Sequence, residues 1–376
     1  WNCWKPFKNM DKKKILIYLG HPAHFYIYKN VIPQLKNKGH SVEILIKKKD
    51  VLEHLLINAN YSYHNIYNED RKNSKIFMVW TMVKRFWRIT TFCLKYKPDI
   101  LIGTSVENSY VGKLLNIPVI NINEDDAEVV PLYAKYSYPM ATEILTPIVC
   151  DNGKWDDKAI TYNSYHELAY LHPNHFTPDI KVVEKYFDAK STYFIIRFAK
   201  LNAHHDVGIK GINDEIAQKL ISILRPHGRV YVTSERELDT EFEQYRIKIA
   251  PLDMHHIMAF SDLYIGDSQT MAAEAGVLGV PFVRFNDFVG RIGYLSELED
   301  IYQLGYGVKT SQVDKLYQVV DALINMPNRK AVFEERRRKM LSEKIDYAQF
   351  LVWFVENYPD SSRLMKKNPD YQYNFK

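Results

Sequence analysis

Residues 14–19, Lys-Ile-Leu-Ile-Tyr-Leu, form a β-branched and aliphatic run closed by Gly20, and a helical period follows after a short loop and ends at Lys38-Gly39. The pattern predicts a strand, a loop and a glycine-capped helix. It then repeats. Strands are expected at 41–46, 61–67, 99–102 and 118–122, with helices at 50–57 (Asp50 as N-cap), 74–96 and 107–115. Between 152 and 183 the periodicity fails in a segment rich in Tyr, His, Asn and Pro, which includes Tyr165-His166-Glu167 and reads as a linker. Alternation resumes with strands expected at 191–197, 228–233, 246–250, 263–265 and 281–284, and helices at 214–224, 254–260 and 270–278. After Ser311 the chain reads as helical to about Tyr358, with Glu334 to Arg338 as a solvated face. Residues 361–376 read as a frayed basic tail, or as a contact with a membrane surface or partner. Strands alternating with helices at this spacing build parallel sheets covered on both faces. Two such halves joined by a linker place a cleft at the carboxyl ends of the strands.

Composition narrows the class without changing this picture. A chain of 376 residues, 46% hydrophobic and 25% charged, has apolar material for two cores, which excludes disorder and fibrous architectures. Lys and Arg exceed Asp and Glu by 50 to 45, a dispersed surplus of +5 that does not point to nucleic acid and leaves anionic substrates or an anionic membrane open. Cys3, Cys93 and Cys150 lack the spacing of a disulfide framework or zinc site, which suits a reducing cytoplasm. No run approaches the roughly 18 apolar residues of a membrane span, so a soluble or peripheral protein is expected. Residues 1–9 precede Met10 and are set aside as an upstream extension or a leftover of processing.

Several strand ends carry residues that could act on a ligand. Gly20-His21-Pro22-Ala23-His24 sits at a helix start, where backbone N–H groups favour anions and two imidazoles could move protons or bind a sugar or phosphate. The same residues also suit a helix-entry turn in which the histidines cap or pack. In Gly103-Thr104-Ser105, Ser105 is a candidate substrate contact and equally a helix cap. Glu124-Asp125-Asp126 directly follows a buried-looking strand. Crowded carboxylates raise at least one pKa, as a general base near neutrality requires, with Glu124 the first choice and Asp125 or Asp126 as substitutes. An acidic helix start favourable to the dipole is the other reading.

In the second half, Arg197 and Lys200 suit phosphate oxygens, while His204, His205 and Asp206 suit a diphosphate or a proton relay. Adjacent histidines diverge in regular structure and no third ligand is suitably spaced, so no metal is expected. Gly266-Asp267-Ser268-Gln269-Thr270 ends a strand, so its amides and hydroxyls face whatever binds at the next helix, with Glu274 one turn further in. That arrangement can hold a diphosphate at Ser268, Gln269 and Thr270 and a ribose diol at Glu274. A capping role for Thr270 with Glu274 on the helix surface is the alternative. A loop carrying Asn286 and Arg291 divides evenly between substrate contact and loop structure.

Together these residues resemble a known superfamily. A strand followed by Gly, hydroxyl residues, Glu274 four positions after Thr270 and then Gly279-Val280-Pro281 is similar to glycosyltransferase-B-fold proteins. Among these are UDP-N-acetylglucosamine 2-epimerases and the peptidoglycan N-acetylglucosaminyltransferase. More narrowly, His21-Pro22-Ala23-His24, Arg197-Phe198 with 202–208, and 285–295 resemble an uncharacterised bacterial and archaeal family described as glycosyltransferase-like. The resemblance covers about residues 12–340. It implies two Rossmann-like domains facing a central cleft, with an acceptor domain at 12–175, a nucleotide-sugar domain at 185–330, and C-terminal helices at 331–360 crossing back. It also implies that Ser268 and Thr270 meet the diphosphate and Glu274 the ribose. The epimerases carry a Glu close to the position of Glu124, and an acidic residue in the preceding strand-end turn, where this chain has Gly103-Thr104-Ser105.

The expected activity is metal-independent transfer of a sugar from a nucleoside-diphosphate sugar, UDP-sugar favoured, to a glycan or lipid-linked acceptor. Glu124, His24 and His205 are the candidate catalytic groups. Arg197, His204, Asp206, Ser268, Gln269, Thr270 and Glu274 are assigned to the nucleotide-sugar. His21, Ser105, Asp125, Asn286 and Arg291 are assigned to the acceptor or substrate. No cofactor is expected beyond the nucleotide-sugar substrate, and a peripheral contact at the inner face of the membrane stays open. The alternatives are nucleotide-sugar epimerisation and catalytically silent sugar-nucleotide binding.

Overall fold

A computed structural model describes residues 12–47, 51–67, 75–188, 190–198, 211–234 and 237–376, with the backbone alone for 75–79. The chain divides into two compact units, one reaching to Tyr170 and resuming at Ile345–Lys376, the other spanning Leu171–Lys344.

The first unit is built on seven strands: β1 (Lys14–Leu19), β2 (Ser41–Lys47), β3 (His64–Tyr67), β4 (Ile100–Gly103), β5 (Val119–Ile122), β6 (Glu143–Pro147) and β7 (Ala159–Tyr162). All pair in parallel in the order β3-β2-β1-β4-β5-β6-β7. Their near-continuous apolar sequences reflect burial on both faces, since helices cover each side of a parallel sheet. Leu16, Leu45, Leu101 and Val119 pack with Ile89 and Cys93 of the helix Lys75–Tyr96. The order reverses between β1 and β4, and ligands of open α/β sheets bind at such a reversal, beyond the carboxyl ends of the strands. Gly103 at the end of β4 has φ +135°, and a Cβ there would meet the Tyr18 carbonyl oxygen at 2.5 Å. Only glycine lets the two central strands end side by side.

This unit departs from expectation at four points. The supposed linker contains β7 and a short helix, Leu168–Leu171, and its tyrosines Tyr162, Tyr165 and Tyr170 are core residues. β6 and the helix Pro131–Ser137 went unpredicted. The tail is not frayed. It forms the helix Asp360–Lys367 and a 3₁₀ segment, Pro369–Phe375. Ser362 donates to Glu143 at 2.6 Å, and Trp353 lies against the rings of Tyr371 and Phe375. The expected helix ending at Lys38-Gly39 is two helices, Pro22–Lys29 and Val31–Asn37, parted at Asn30. The Asp50 cap lies outside the described residues, and the helix there is Leu52–Asn58.

The second unit has five parallel strands, β8 (Tyr193–Phe198), β9 (Arg229–Ser234), β10 (Leu263–Gly266), β11 (Phe282–Phe285) and β12 (Gly305–Val308), ordered β12-β11-β10-β8-β9. The reversal falls between β8 and β10, and there Arg197 pairs in register with Gly266. Helix Asp214–Leu224 buries Ile216, Ala217, Leu220 and Leu224 against this sheet in a period of three and four. The expected strand at 246–250 is a single bridge from Arg246 to Val232, and β12 went unpredicted. Helix Arg329–Glu343 stays with this unit, so the chain rejoins the first unit at Ile345 rather than at 331.

Candidate functional site

At the first reversal, His21 is the N-cap of helix Pro22–Lys29 and its Nδ1 accepts from the Ala23 N–H at 3.2 Å. His24 Nδ1 accepts from the Gly20 N–H, also at 3.2 Å. An imidazole that accepts at Nδ1 carries its neutral-state proton on Nε2. In this tautomer the ring of His24 donates through Nε2. Ser105 caps helix Val106–Leu115 by accepting from the Asn108 N–H, and its hydroxyl donates to Glu107 Oε2 at 3.0 Å. Glu107 in turn pairs with Arg85. Ser105 is buried and its hydroxyl is engaged in this network, the helix-cap alternative of its two expected roles.

The acidic run after β5 is built differently. Glu124 Oε2 lies 3.2 Å from both the backbone N–H and the Nδ1 of His166. His166 stacks on Tyr347 at 5.5 Å, and Tyr347 stacks on Tyr162 at 4.3 Å. Asn123 fixes the turn by donating to the Asp125 carbonyl and to the Tyr138 hydroxyl. Asp126 accepts from the Asp151 N–H at 2.8 Å. Asp125, half-buried between these neighbours, has its pKa pushed up to about 7 by burial first and by the Glu124 charge second, with His166 opposing. Burial thus raises Asp125, with the crowding of the carboxylates as the lesser cause. His166 lay hidden in the segment read as a linker.

At the second reversal, Ser268 rather than Thr270 caps the helix Gln269–Val277, accepting from the Met271 N–H at 3.4 Å. Ser268, Gln269 and Thr270 are half-buried at that helix start, just after β10, whose Gly266 pairs with half-buried Arg197 of β8. Glu274 is 5% exposed and its Oε1 lies 2.9 Å from His255 Nε2. It is therefore not helix surface, and its imidazole partner went unforeseen. Asn286, 1% exposed, donates to the Asp267 carbonyl and accepts from Arg284 and the Phe288 N–H. It ties the end of β10 to the end of β11, the loop-structure alternative of its two expected roles. Arg291 is exposed, with its guanidinium over the Phe288 ring. Arg284 is fully buried and makes a two-pronged pair with Glu299 at 2.8 and 3.1 Å. His204, His205 and Asp206 lie outside the described residues. Among the described residues no cluster of three or more His, Cys, Asp or Glu side chains could hold a metal ion.

The family model described as "Protein of unknown function (DUF354)" matches residues 13–358. The chain belongs to this family. A relative in Methanocaldococcus jannaschii, the uncharacterized protein MJ0665, is 25% identical over 288 residues, 73% of this chain and 81% of that protein. Two solved structures share the fold. The UDP-GlcNAc 2-epimerase of Neisseria meningitidis, bound to UDP-GlcNAc, aligns with TM-score 0.62 and 15% identity over 91% of this chain and 99% of its own. Spinosyn forosaminyltransferase SpnP aligns with TM-score 0.60 and 13% identity over 91% of this chain and 100% of its own. The DUF354 chain therefore has the glycosyltransferase-B fold, with two α/β domains on parallel sheets of seven and five strands. No helix among the described residues is long and apolar enough to cross a membrane.

Proposed function

We propose that the protein transfers a sugar from a nucleoside-diphosphate sugar, UDP-sugar favoured, to a glycan or lipid-linked acceptor at the cytoplasmic face of a membrane, without a metal cofactor. The observation that carries this reading is the half-buried Ser268–Gln269–Thr270 turn at the reversal of the second sheet, with Arg197 on the adjoining strand. A helix start supplies unpaired amides and a positive dipole end, and Arg197 adds a cation, so together they suit a diphosphate. Glu274, oriented by His255, would accept from the ribose hydroxyls. On the first unit, Glu124 would take the proton of the acceptor hydroxyl while that oxygen attacks the anomeric carbon and the bond to the diphosphate breaks. His166 holds Glu124 in place, and the charge gathering on the departing diphosphate would be met by Arg197 and the amides.

One observation favours a second reading, epimerisation of the nucleotide-sugar itself. Asp125, with its pKa near 7, is part-protonated at neutrality beside Glu124, as an acid and base pair on one sugar ring would need. Against it, the turn after β4 offers no carboxylate at Gly103-Thr104-Ser105, and Glu107 nearby is held by Arg85. The test is incubation with UDP-GlcNAc, alone and with lipid-linked or glycan acceptors, followed by NMR. Release of UDP only when an acceptor is present supports transfer. A C2 epimer formed without acceptor would replace it, and unchanged donor in every mixture would leave silent binding as the function.

A further inference from the structure

The helix Lys75–Tyr96 has apolar surface on two opposite sides. Its inner side, Phe86, Ile89, Phe92 and Cys93, packs on the first sheet. Its outer side carries Trp80, Val83, Trp87 and Leu94, exposed by 52, 49, 57 and 58%. These four positions, separated by three, four and seven residues, fall on one stripe at 3.6 residues per turn. The first sheet is covered by the inner side of the helix, and the four residues of the outer stripe keep about half of their surface exposed.

Charge is distributed just as unevenly. The helix contains Lys75, Lys84, Arg85, Arg88 and Lys95, and no Asp or Glu. Arg85 faces inward to Glu107, and Arg88 donates to the Ile66 carbonyl while remaining exposed. Lys84, Arg88 and Lys95 run along one flank of the stripe, and the Lys84 amine lies 4.7 Å from the centre of the Trp80 ring. Indole rings bedded in an apolar stripe and bordered by cations match the interface of an anionic bilayer, where Trp sits at headgroup level and each Lys or Arg meets lipid phosphate.

We infer that the outer side of helix Lys75–Tyr96 docks on a membrane surface containing anionic phospholipid. The inference builds on the part of the proposed function that sets the protein at a membrane, and it names the surface responsible. It also moves that contact away from the C-terminal residues 361–376, which are packed into the first unit.

The test is flotation of the full chain with vesicles of phosphatidylcholine, with and without phosphatidylglycerol, in the absence of any nucleotide-sugar. Failure here is thus read separately from failure of the sugar chemistry. The chain is expected to float with the phosphatidylglycerol vesicles and to be released severalfold as salt rises from about 0.05 to 0.5 M. W80S/W87S should lower the bound fraction at least about tenfold while the melting temperature is kept. K84E/K95E, which leaves the apolar stripe intact, should weaken binding to the anionic vesicles by a similar factor. No flotation of the wild type, or equal flotation of both variants, would overturn the inference. A dimer in light scattering that W80S/W87S dissociates, without vesicle binding, would overturn it in favour of a second copy of the chain.

Discussion

The carboxyl edges of the two sheets carry opposite electrostatics. Beyond β5, Glu124, Asp125 and Asp126 crowd together, and burial, with the repulsion of Glu124 second, lifts Asp125 to about 7. Beyond β8 and β10, the described residues at the edge include half-buried Arg197, exposed Arg291 and a helix start, while Glu274 is paired with His255 and Glu299 with Arg284. A region that handles protons must hold carboxylates at some cost in repulsion. A region that holds an anion must instead neutralise its own carboxylates and leave amides and guanidinium groups outward. Under the proposed function this contrast would correspond to a division of labour, with acceptor chemistry on the first unit and donor binding on the second.

The largest effect expected concerns which cation of the second edge is structural. Arg284→Leu leaves Glu299 buried without its partner and should cost about 3–5 kcal/mol in urea unfolding. An unchanged midpoint together with lost nucleotide binding would make Arg284 a ligand contact and blur the contrast. Glu124→Gln should cut turnover by about 100-fold or more and leave the nucleotide-induced thermal shift intact. Full activity would remove the first edge from proton transfer. Glu274→Gln keeps the side chain's size and a hydrogen-bonding partner for His255, so the protein should remain folded. Its affinity for the nucleotide should drop by about 1–2 kcal/mol in calorimetric titration, and unchanged affinity would put the ribose elsewhere.

The smallest effect is on stability against pH. Asp125 ordinarily titrates near 3.8 and in the folded chain near 7, so the folded state binds more protons than the unfolded across that interval. Its contribution is fully present below about pH 4 and is lost as pH rises through 7. Solvent screening of this half-exposed group keeps the slope shallow. Asp125→Asn should flatten that part of the stability profile measured by thermal melts. A variant with the wild-type slope would show that Asp125 titrates normally.

Much of this fold could be read from apolar periodicity, because parallel strands buried on both faces leave continuous runs such as 14–19 and 193–198. The failures share a cause. β7, β6 and β12 are short and carry Tyr, Thr, Pro or Gly, so their strand character comes from pairing and not from pattern. Tyr162, Tyr165 and Tyr170 count as polar in a linear reading, yet in the fold they are core. At the site, strand-end turns with Gly, Ser and Thr were legible because such residues mark helix starts. The partners were not: His166 reaches Glu124 across 42 positions and His255 reaches Glu274 across 19, contacts that no local spacing encodes. Local spacing also could not tell that the hydroxyl of Ser105 and the amide of Asn286 are engaged inside the protein.

The most direct test of the division between the two edges is the thermal shift of the full chain with UDP, GDP, CDP, ADP and dTDP, because a ligand that binds only the folded state raises apparent stability by mass action. The predicted result is a selective rise with one nucleotide, UDP foremost, that persists in Glu124→Gln and shrinks in Glu274→Gln. A folded protein whose melting temperature moves with none of the five, or whose shift is lost in Glu124→Gln and kept in Glu274→Gln, would contradict it.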